Sequence, residues 1–190
     1  MHKLVATNWT FHPTDNLAAT VLSPILSKLP QIEFDITIGD RNSNSISSNL
    51  DEKIKNTFLS HGAVDDQISL IDDLSKEYDF VVSYNGFKIV AEIEKTNREK
   101  IMYDFLKCHM YLNSGASLAV LFLPTKYLHA SGYWHLYGDG KKRFEQCLKY
   151  DFGLSFYFRR MLLVGYDQLL PDGTPMTKTV RKEWIKKRRG

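Results

Sequence analysis

The sequence predicts an α/β protein, a mixed sheet flanked by helices, on three observations. Apolar residues recur first at helical spacing, then alternate strictly around an Asn-Gly turn, and after that helical stripes take turns with short continuous apolar runs. That succession is expected of helices covering a sheet whose central strands are buried on both faces. The bulk composition agrees: 43% hydrophobic and 25% charged residues exclude disordered, collagenous and disulfide-framework chains, and 190 residues suffice for one domain, 1–190, with a buried core.

The first helix is expected from Leu17 to Leu29, where Leu17, Val21, Leu22, Ile25, Leu26 and Leu29 share a face and Pro30 marks the stop. Asn42-Ser-Asn-Ser-Ile-Ser-Ser-Asn49 reads as a loop, because short polar side chains compete for backbone hydrogen bonds. A second helix runs through Leu50, Ile54, Phe58 and Leu59 and ends at Gly62. From Tyr78 the period becomes two. Tyr78, Phe80 and Val82 alternate with Asp79, Val81 and Ser83, Asn85-Gly86 supplies a hairpin turn, and Phe87 to Glu94 is the return strand. Thr96 with Glu99 three residues on makes a capping box, which predicts a helix opening at Asn97. Its apolar face carries Ile101, Phe105, Cys108 and Leu112, and Asn113-Ser-Gly115 closes it. Leu118 to Leu123 is a short buried strand. Lys126 to Tyr150 reads as a helical, partly aromatic stretch broken at Gly138-Asp-Gly140. Met161 to Tyr166 is a further strand, and Pro171-Asp-Gly173 turns the chain into a basic tail, residues 178–190.

The formal charge of +3 conceals an asymmetry. In the last thirteen residues Lys178, Arg181, Lys182, Lys186, Lys187, Arg188 and Arg189 face the single acid Glu183, a surplus of six that leaves the first 177 residues at −3. An acidic body with a basic tail points to a polyanionic partner, a solvated terminal helix being the alternative. Cys108 and Cys147 form neither a C-x-x-C pair nor a zinc pattern. The N-terminal residues lack the apolar stretch of a signal peptide, and the longest apolar run, Leu118 to Leu123, is too short to span a bilayer. The expected address is the cytoplasm, with no membrane partner and no nucleotide cofactor. The histidines are scattered, and no Ser/His/Asp or Cys/His triad is supported.

Side chains two apart on a strand share a face, so Glu92 and Glu94 point one way, Lys95 the other, and the hairpin brings Asp79 beside the two acids. Three carboxylates on one patch repel each other unless a cation or a shared proton relieves them. All-oxygen donors suit Mg²⁺, which keeps several waters and is commonly held by one or two carboxylates. Glu77, two residues before Asp79, is a further candidate ligand. A solvated edge hairpin is the alternative. Ile89-Val-Ala91 leading into Glu92 favours a central strand, and acids ending such a strand at a helix start mark a site.

Tyr78-Asp-Phe-Val-Val82, the Asn85-Gly86 turn, Ile89-Val-Ala-Glu-Ile-Glu-Lys-Thr-Asn97 and Tyr103-Asp-Phe-Leu-Lys107 resemble the active-site region of PD-(D/E)XK nucleases. Within that superfamily they are most similar to type II restriction endonucleases of the BamHI and BglII/BstYI group. The resemblance continues through Leu121-Phe-Leu-Pro-Thr-Lys126, the strand ending at Gly165 and Leu170-Pro-Asp-Gly173, roughly the last 120 residues; the first 60 match only in outline. It implies a restriction-endonuclease-like core and a homodimer that hydrolyses phosphodiester bonds in both strands of a short palindromic double-stranded DNA site, with one or two Mg²⁺ per active site.

Carried over residue by residue, the resemblance makes Asp79, Glu92 and Glu94 the catalytic set, with Asp79, Glu92 and the Ile93 backbone carbonyl as metal ligands. Glu94 stands where most of the superfamily has lysine, and is either the base for the attacking water or another ligand. Asn97 falls on a base-reading position, its alternative being a plain polar residue beside the Thr96 cap. Arg98, at the helix start, offers a phosphate contact. Gly138-Asp-Gly-Lys-Lys-Arg143 loosely resembles a second recognition loop, with Lys142 and Arg143 on DNA, or is a solvated turn. Lys178, Arg181 and Lys182 bring the tail to the same partner. The helices at 97–112 and within 126–150 resemble a dimer-forming pair. Three other readings compete: a less sequence-specific DNA nuclease of repair or phage defence, a non-cleaving DNA-binding module of the same fold, and an unrelated α/β interaction protein.

Overall fold

In chain order the elements are β1 (His2–His12), α1 (Leu17–Leu26), a 3-10 turn (Leu29–Gln31), β2 (Glu33–Ile38), β3 (Ile46–Ser48), α2 (Leu50–Ser60), β4 (Val64–Asp65), β5 (Phe80–Tyr84), β6 (Phe87–Ile93), α3 (Lys100–Asn113), β7 (Leu118–Pro124), β8 (Tyr127–His129), β9 (Gly132–Trp134), α4 (Leu136–Tyr150), α5 (Ser155–Phe158) and β10 (Met161–Leu169). The structure, a computed structural model, describes residues 2–38, 46–69, 78–94, 98–125, 127–129, 132–150 and 153–170, and then 172–174, 177, 179–180, 182–183 and 186.

Among these residues the main sheet runs β3-β2-β1-β10-β7-β6-β5-β4, and β8 with β9 forms a separate two-stranded ribbon. β6, β7 and β10 are parallel neighbours at its centre; every other adjacent pair is antiparallel. The carboxyl ends of the parallel trio therefore open on one edge, where α/β sheets usually place their ligands.

Both faces are covered. On one, Leu22 and Ile25 of α1 and Ile54 and Phe58 of α2 are buried with Phe80, Ala91, Val120 and Val164. On the other, Ile101, Phe105 and Leu112 of α3 and Phe144 of α4 are buried with Val81, Val90, Leu121 and Leu163. β7 is buried at all seven residues, as its unbroken apolar sequence requires. The β5–β6 turn has positive φ at both central residues, Asn85 (50°) and Gly86 (79°), the geometry for which Asn-Gly is the favoured pair.

The structure departs from the sequence-based expectations in four places. β1, β2, β3, the short β4 and the single-turn α5 have no counterpart among them, and β3 falls inside the expected polar loop. α1 ends at Leu26, and Leu29, the last residue of the expected helix, instead opens the 3-10 turn Leu29–Gln31. α3 begins at Lys100, not Asn97, and Glu99 takes its N-cap without a side-chain cap hydrogen bond; Thr96 and Asn97 lie outside the described residues. The fourth departure is the stretch from Lys126 to Tyr150, which divides into the β8–β9 ribbon and a helix running through Gly138 and Gly140. A Cβ at Gly140 would lie 2.5 Å from Leu123 Cδ1. That glycine lets α4 approach β7, at a helix-propensity cost of about 1 kcal/mol. Lys142 and Arg143 are consequently helical residues and not part of a loop. No helix among the described residues is long and apolar enough to cross a membrane.

Candidate functional site

The hairpin register pairs Phe80 with Ala91, and one step further along brings Asp79 opposite Glu92. Asp79 lies just before β5 and is exposed; its Oδ2 accepts a hydrogen bond from the Ile93 amide at 2.5 Å. A residue in an antiparallel ladder turns its N–H and C=O toward the same neighbour, so the Ile93 carbonyl also faces the Asp79 side. Glu94 follows at the end of β6, half-buried, its amide bonded to the Phe122 carbonyl of β7 at 3.1 Å.

Glu92 shares the face of Val90, which packs under α3. It is 6% exposed. Its Oε2 accepts a hydrogen bond from Lys107 Nζ of α3 at 2.8 Å, while Oε1 is buried with no hydrogen-bond partner among the described residues. Burial pushes the Glu92 carboxyl up to about 8; Lys107 opposes that, and the carboxylates of Asp79 and Asp104 add to it. Asp104, one turn before Lys107 on α3, is likewise 6% exposed, and its Oδ2 has no hydrogen-bond partner among the described residues. Burial raises it to about 7, the charges of Glu94 and Asp79 contribute in the same sense, and Lys107 and Lys100 offset part of it. Asp79, Glu92, Glu94 and Asp104 thus form one electrostatic neighbourhood, built by the start of β5, the end of β6 and the first two turns of α3.

This donor set fits a hard divalent cation. In this set Glu92 Oε1 and Asp104 Oδ2 have no hydrogen-bond partner among the described residues, and a buried carboxylate left so is costly unless a proton or a cation satisfies it. No group of three or more His, Cys, Asp or Glu side chains among the described residues is close enough to hold a metal alone. An ion here would take one or two of these carboxylates and complete its shell with carbonyl oxygen and water, as Mg²⁺ commonly does.

The other sequence-designated residues fall elsewhere. Arg98, exposed just ahead of α3, forms a two-pronged ion pair with Asp139 of α4 (Nε to Oδ2 2.6 Å, Nη2 to Oδ1 3.1 Å). Arg143 Nη1 donates to the Arg98 carbonyl at 3.3 Å. Both arginines thus tie the start of α3 to α4. Lys142 on α4 and Lys182 in the tail are exposed. Glu77, Asn97, Lys178 and Arg181 lie outside the described residues. Sequence reasoning missed Asp104 and Lys107. Asp104 carries a readable signal, an acid on the stripe of Ile101, Phe105 and Cys108, where an apolar residue belongs. Lys107 has none in its spacing, because its partner lies on another element, although both residues stand in the Tyr103-Asp-Phe-Leu-Lys107 stretch that carries the resemblance.

Among solved structures the chain is similar to restriction endonuclease BglII complexed with a DNA 16-mer, at a TM-score of 0.55 and 15% identity over 87% of this chain and 78% of that one. It is also similar to free BglII, at 0.50 and 11% over 87% and 79%. At these identities the likeness is one of fold, and the fold is restriction-endonuclease-like. No protein-family model matches the chain, and no curated protein matches it.

Proposed function

We propose that this protein is a type II restriction endonuclease that hydrolyses phosphodiester bonds in both strands of a short palindromic duplex with the help of Mg²⁺. The observation that carries this reading is Glu92, a buried acid at the carboxyl end of a central parallel strand, with one oxygen that has no partner among the described residues and a pKa pushed up to about 8. A purely structural position would hold an apolar residue there, as it does at Ala91 and Ile93 on either side. The bound cation would stabilise the charge building on the phosphate and acidify a water.

Asp79 and Glu92 would hold that ion with the Ile93 carbonyl, and Glu77 is a further candidate ligand. The Asp79 carboxylate is pinned by the Ile93 amide, which fixes its remaining lone pairs beside Glu92. Glu94, half-buried among acids, is placed to take the proton of the attacking water or to join the ligands. In the reaction the water oxygen would bond to phosphorus, the bond to the 3′ oxygen would break, the water's proton would pass to the base, and the departing 3′ oxygen would take a proton from solvent to leave as a hydroxyl. Lys142 and the tail cations Lys178, Arg181 and Lys182 would neutralise phosphates, and Asn97 would read a base edge. Arg98 and Arg143 would reach DNA with the donors that their Asp139 and carbonyl contacts leave free, or by giving those contacts up. Exposed Met102 and Leu106 on α3 and Leu148 and Tyr150 on α4 give the apolar surface a homodimer needs to match a two-fold DNA site.

Digestion of a sequenced plasmid by the purified protein in Mg²⁺, with the product ends sequenced, tests the reading. Discrete fragments sharing one palindrome at their ends are expected. A smear identifies a nuclease without a fixed site, and retardation without cleavage a DNA-binding module.

A further inference from the structure

Lys107 lies in the second turn of α3, with Asp104 three residues before it and Tyr111 four after, all on the side facing β6. Its ammonium contacts Glu92 Oε2 at 2.8 Å, and the two side chains are only 12% and 7% accessible. The Tyr111 ring lies 5.9 Å from the same nitrogen. A lysine on a solvated helix face samples many rotamers; here the apolar flank of α3 and the carboxylate hold it. The contact joins two elements that meet only in the folded sheet, and it consumes one oxygen of Glu92 while the other, Oε1, keeps no partner among the described residues.

We propose that Lys107 is a positioning residue for the cation of the nuclease site, an inference that rests on the function proposed above. By pinning Oε2, the ammonium fixes the carboxylate plane and leaves Oε1 as the donor for a divalent ion. Lysine suits the task because it has three donors and no acceptor, so it orients a ligand without becoming one. Partners that orient metal ligands from behind commonly contribute about 10- to 100-fold to metal affinity.

The sign of the effect separates positioning from mere charge. Binding is compared at a pH above which affinity no longer rises, where Glu92 is ionised in every variant; there a lysine that acted only through its charge would repel the cation, and its removal would tighten binding. A positioning lysine loosens binding when it is removed. Mn²⁺ affinity of the full-length protein, measured by calorimetry and by loss of the free-ion paramagnetic resonance signal, is the readout. Lys107→Met is expected to bind about 10- to 100-fold more weakly than wild type. Lys107→Arg, which keeps a charged donor, is expected to stay within about threefold of wild type. If Lys107→Met loses its folded circular-dichroism spectrum, Lys107→Gln, whose amide ends one bond short of the ammonium position, is expected to show the same weakening. Unchanged or tighter Mn²⁺ binding by the folded neutral variant overturns the inference and leaves the nuclease reading standing. Absence of Mn²⁺ binding by the wild type overturns both.

Discussion

The two faces of the sheet are built to different rules. Beneath α1 and α2 the described buried residues are apolar throughout, and rings such as Phe58 and Phe80 meet edge to face at 5.4 Å. Beneath α3 and α4 lie the two buried acids of the described chain, Glu92 on β6 and Asp104 on α3, with Lys107 of α3 paired to Glu92. One strand serves both faces, since Ile93 turns to the first and Glu92 to the second. A buried carboxylate without full pairing lowers stability, and the proposed chemistry would account for its presence on one face alone.

The sharpest way to break this contrast is to damage each face and compare signs. On the apolar face, Phe58→Ala should destabilise the protein by about 3–5 kcal/mol in urea unfolding, since it empties a fully buried position. On the acidic face, Asp104→Asn should do the reverse without metal, stabilising the protein on the order of 2 kcal/mol at pH 8 in EDTA, because it removes a charge that burial penalises. Destabilisation by Asp104→Asn would mean that this acid is structural.

The same difference has a pH signature. Glu92 and Asp104 have folded pKa values of about 8 and about 7, above their ordinary 4.5 and 3.8, so in that window the native state holds protons that the unfolded state has released. Stability from these groups is complete below their unfolded values and is lost as pH rises through the folded ones. His12 and His109, lowered by burial, act in the opposite sense below about pH 6.5. Denaturant unfolding in EDTA between about pH 6.5 and 8.5 therefore isolates the acids, and metal-free wild type should weaken as pH rises. The Glu92→Gln/Asp104→Asn double variant should be nearly flat there. A flat wild-type profile would contradict the burial of these carboxylates.

The smallest stability effect belongs to the tail. Removing residues 181–190 should change unfolding free energy by less than about 0.5 kcal/mol, because the described cations there, Lys182 and Lys186, are exposed. DNA affinity should nevertheless fall, and its salt dependence should flatten by about 0.9 in log–log slope for each phosphate that the shortened chain leaves unneutralised. An unchanged slope would place the tail away from DNA.

How far the fold was legible depended on whether its cause was local. The Asn85-Gly86 turn, the α3 stripe and the buried run of β7 are set by neighbouring residues, and the structure has all three. β1 hides because its pairing with β10 shifts between Thr7 and Thr10, which interrupts the alternation. β2 did carry a signal, Phe34, Ile36 and Ile38 alternating with polar residues. Gly140 looked like a helix breaker, but its purpose is tertiary, the approach to Leu123. The site divides likewise. Glu92 and Glu94 follow from the strand pleat and Asp79 from the hairpin register. Asp104 and Lys107 join them only because α3 packs back over β6, which no spacing within either element encodes.

The measurement that bears most directly on the acidic face is cleavage of supercoiled plasmid by wild type and Glu92→Ala side by side, with Mg²⁺ and with EDTA. Wild type should linearise the plasmid in Mg²⁺ alone, and Glu92→Ala should retard DNA in a gel while cutting at least about 10³-fold more slowly, a loss of about 4 kcal/mol in transition-state stabilisation. Cleavage by Glu92→Ala at the wild-type rate, or none by wild type at any Mg²⁺ concentration, would contradict the assignment.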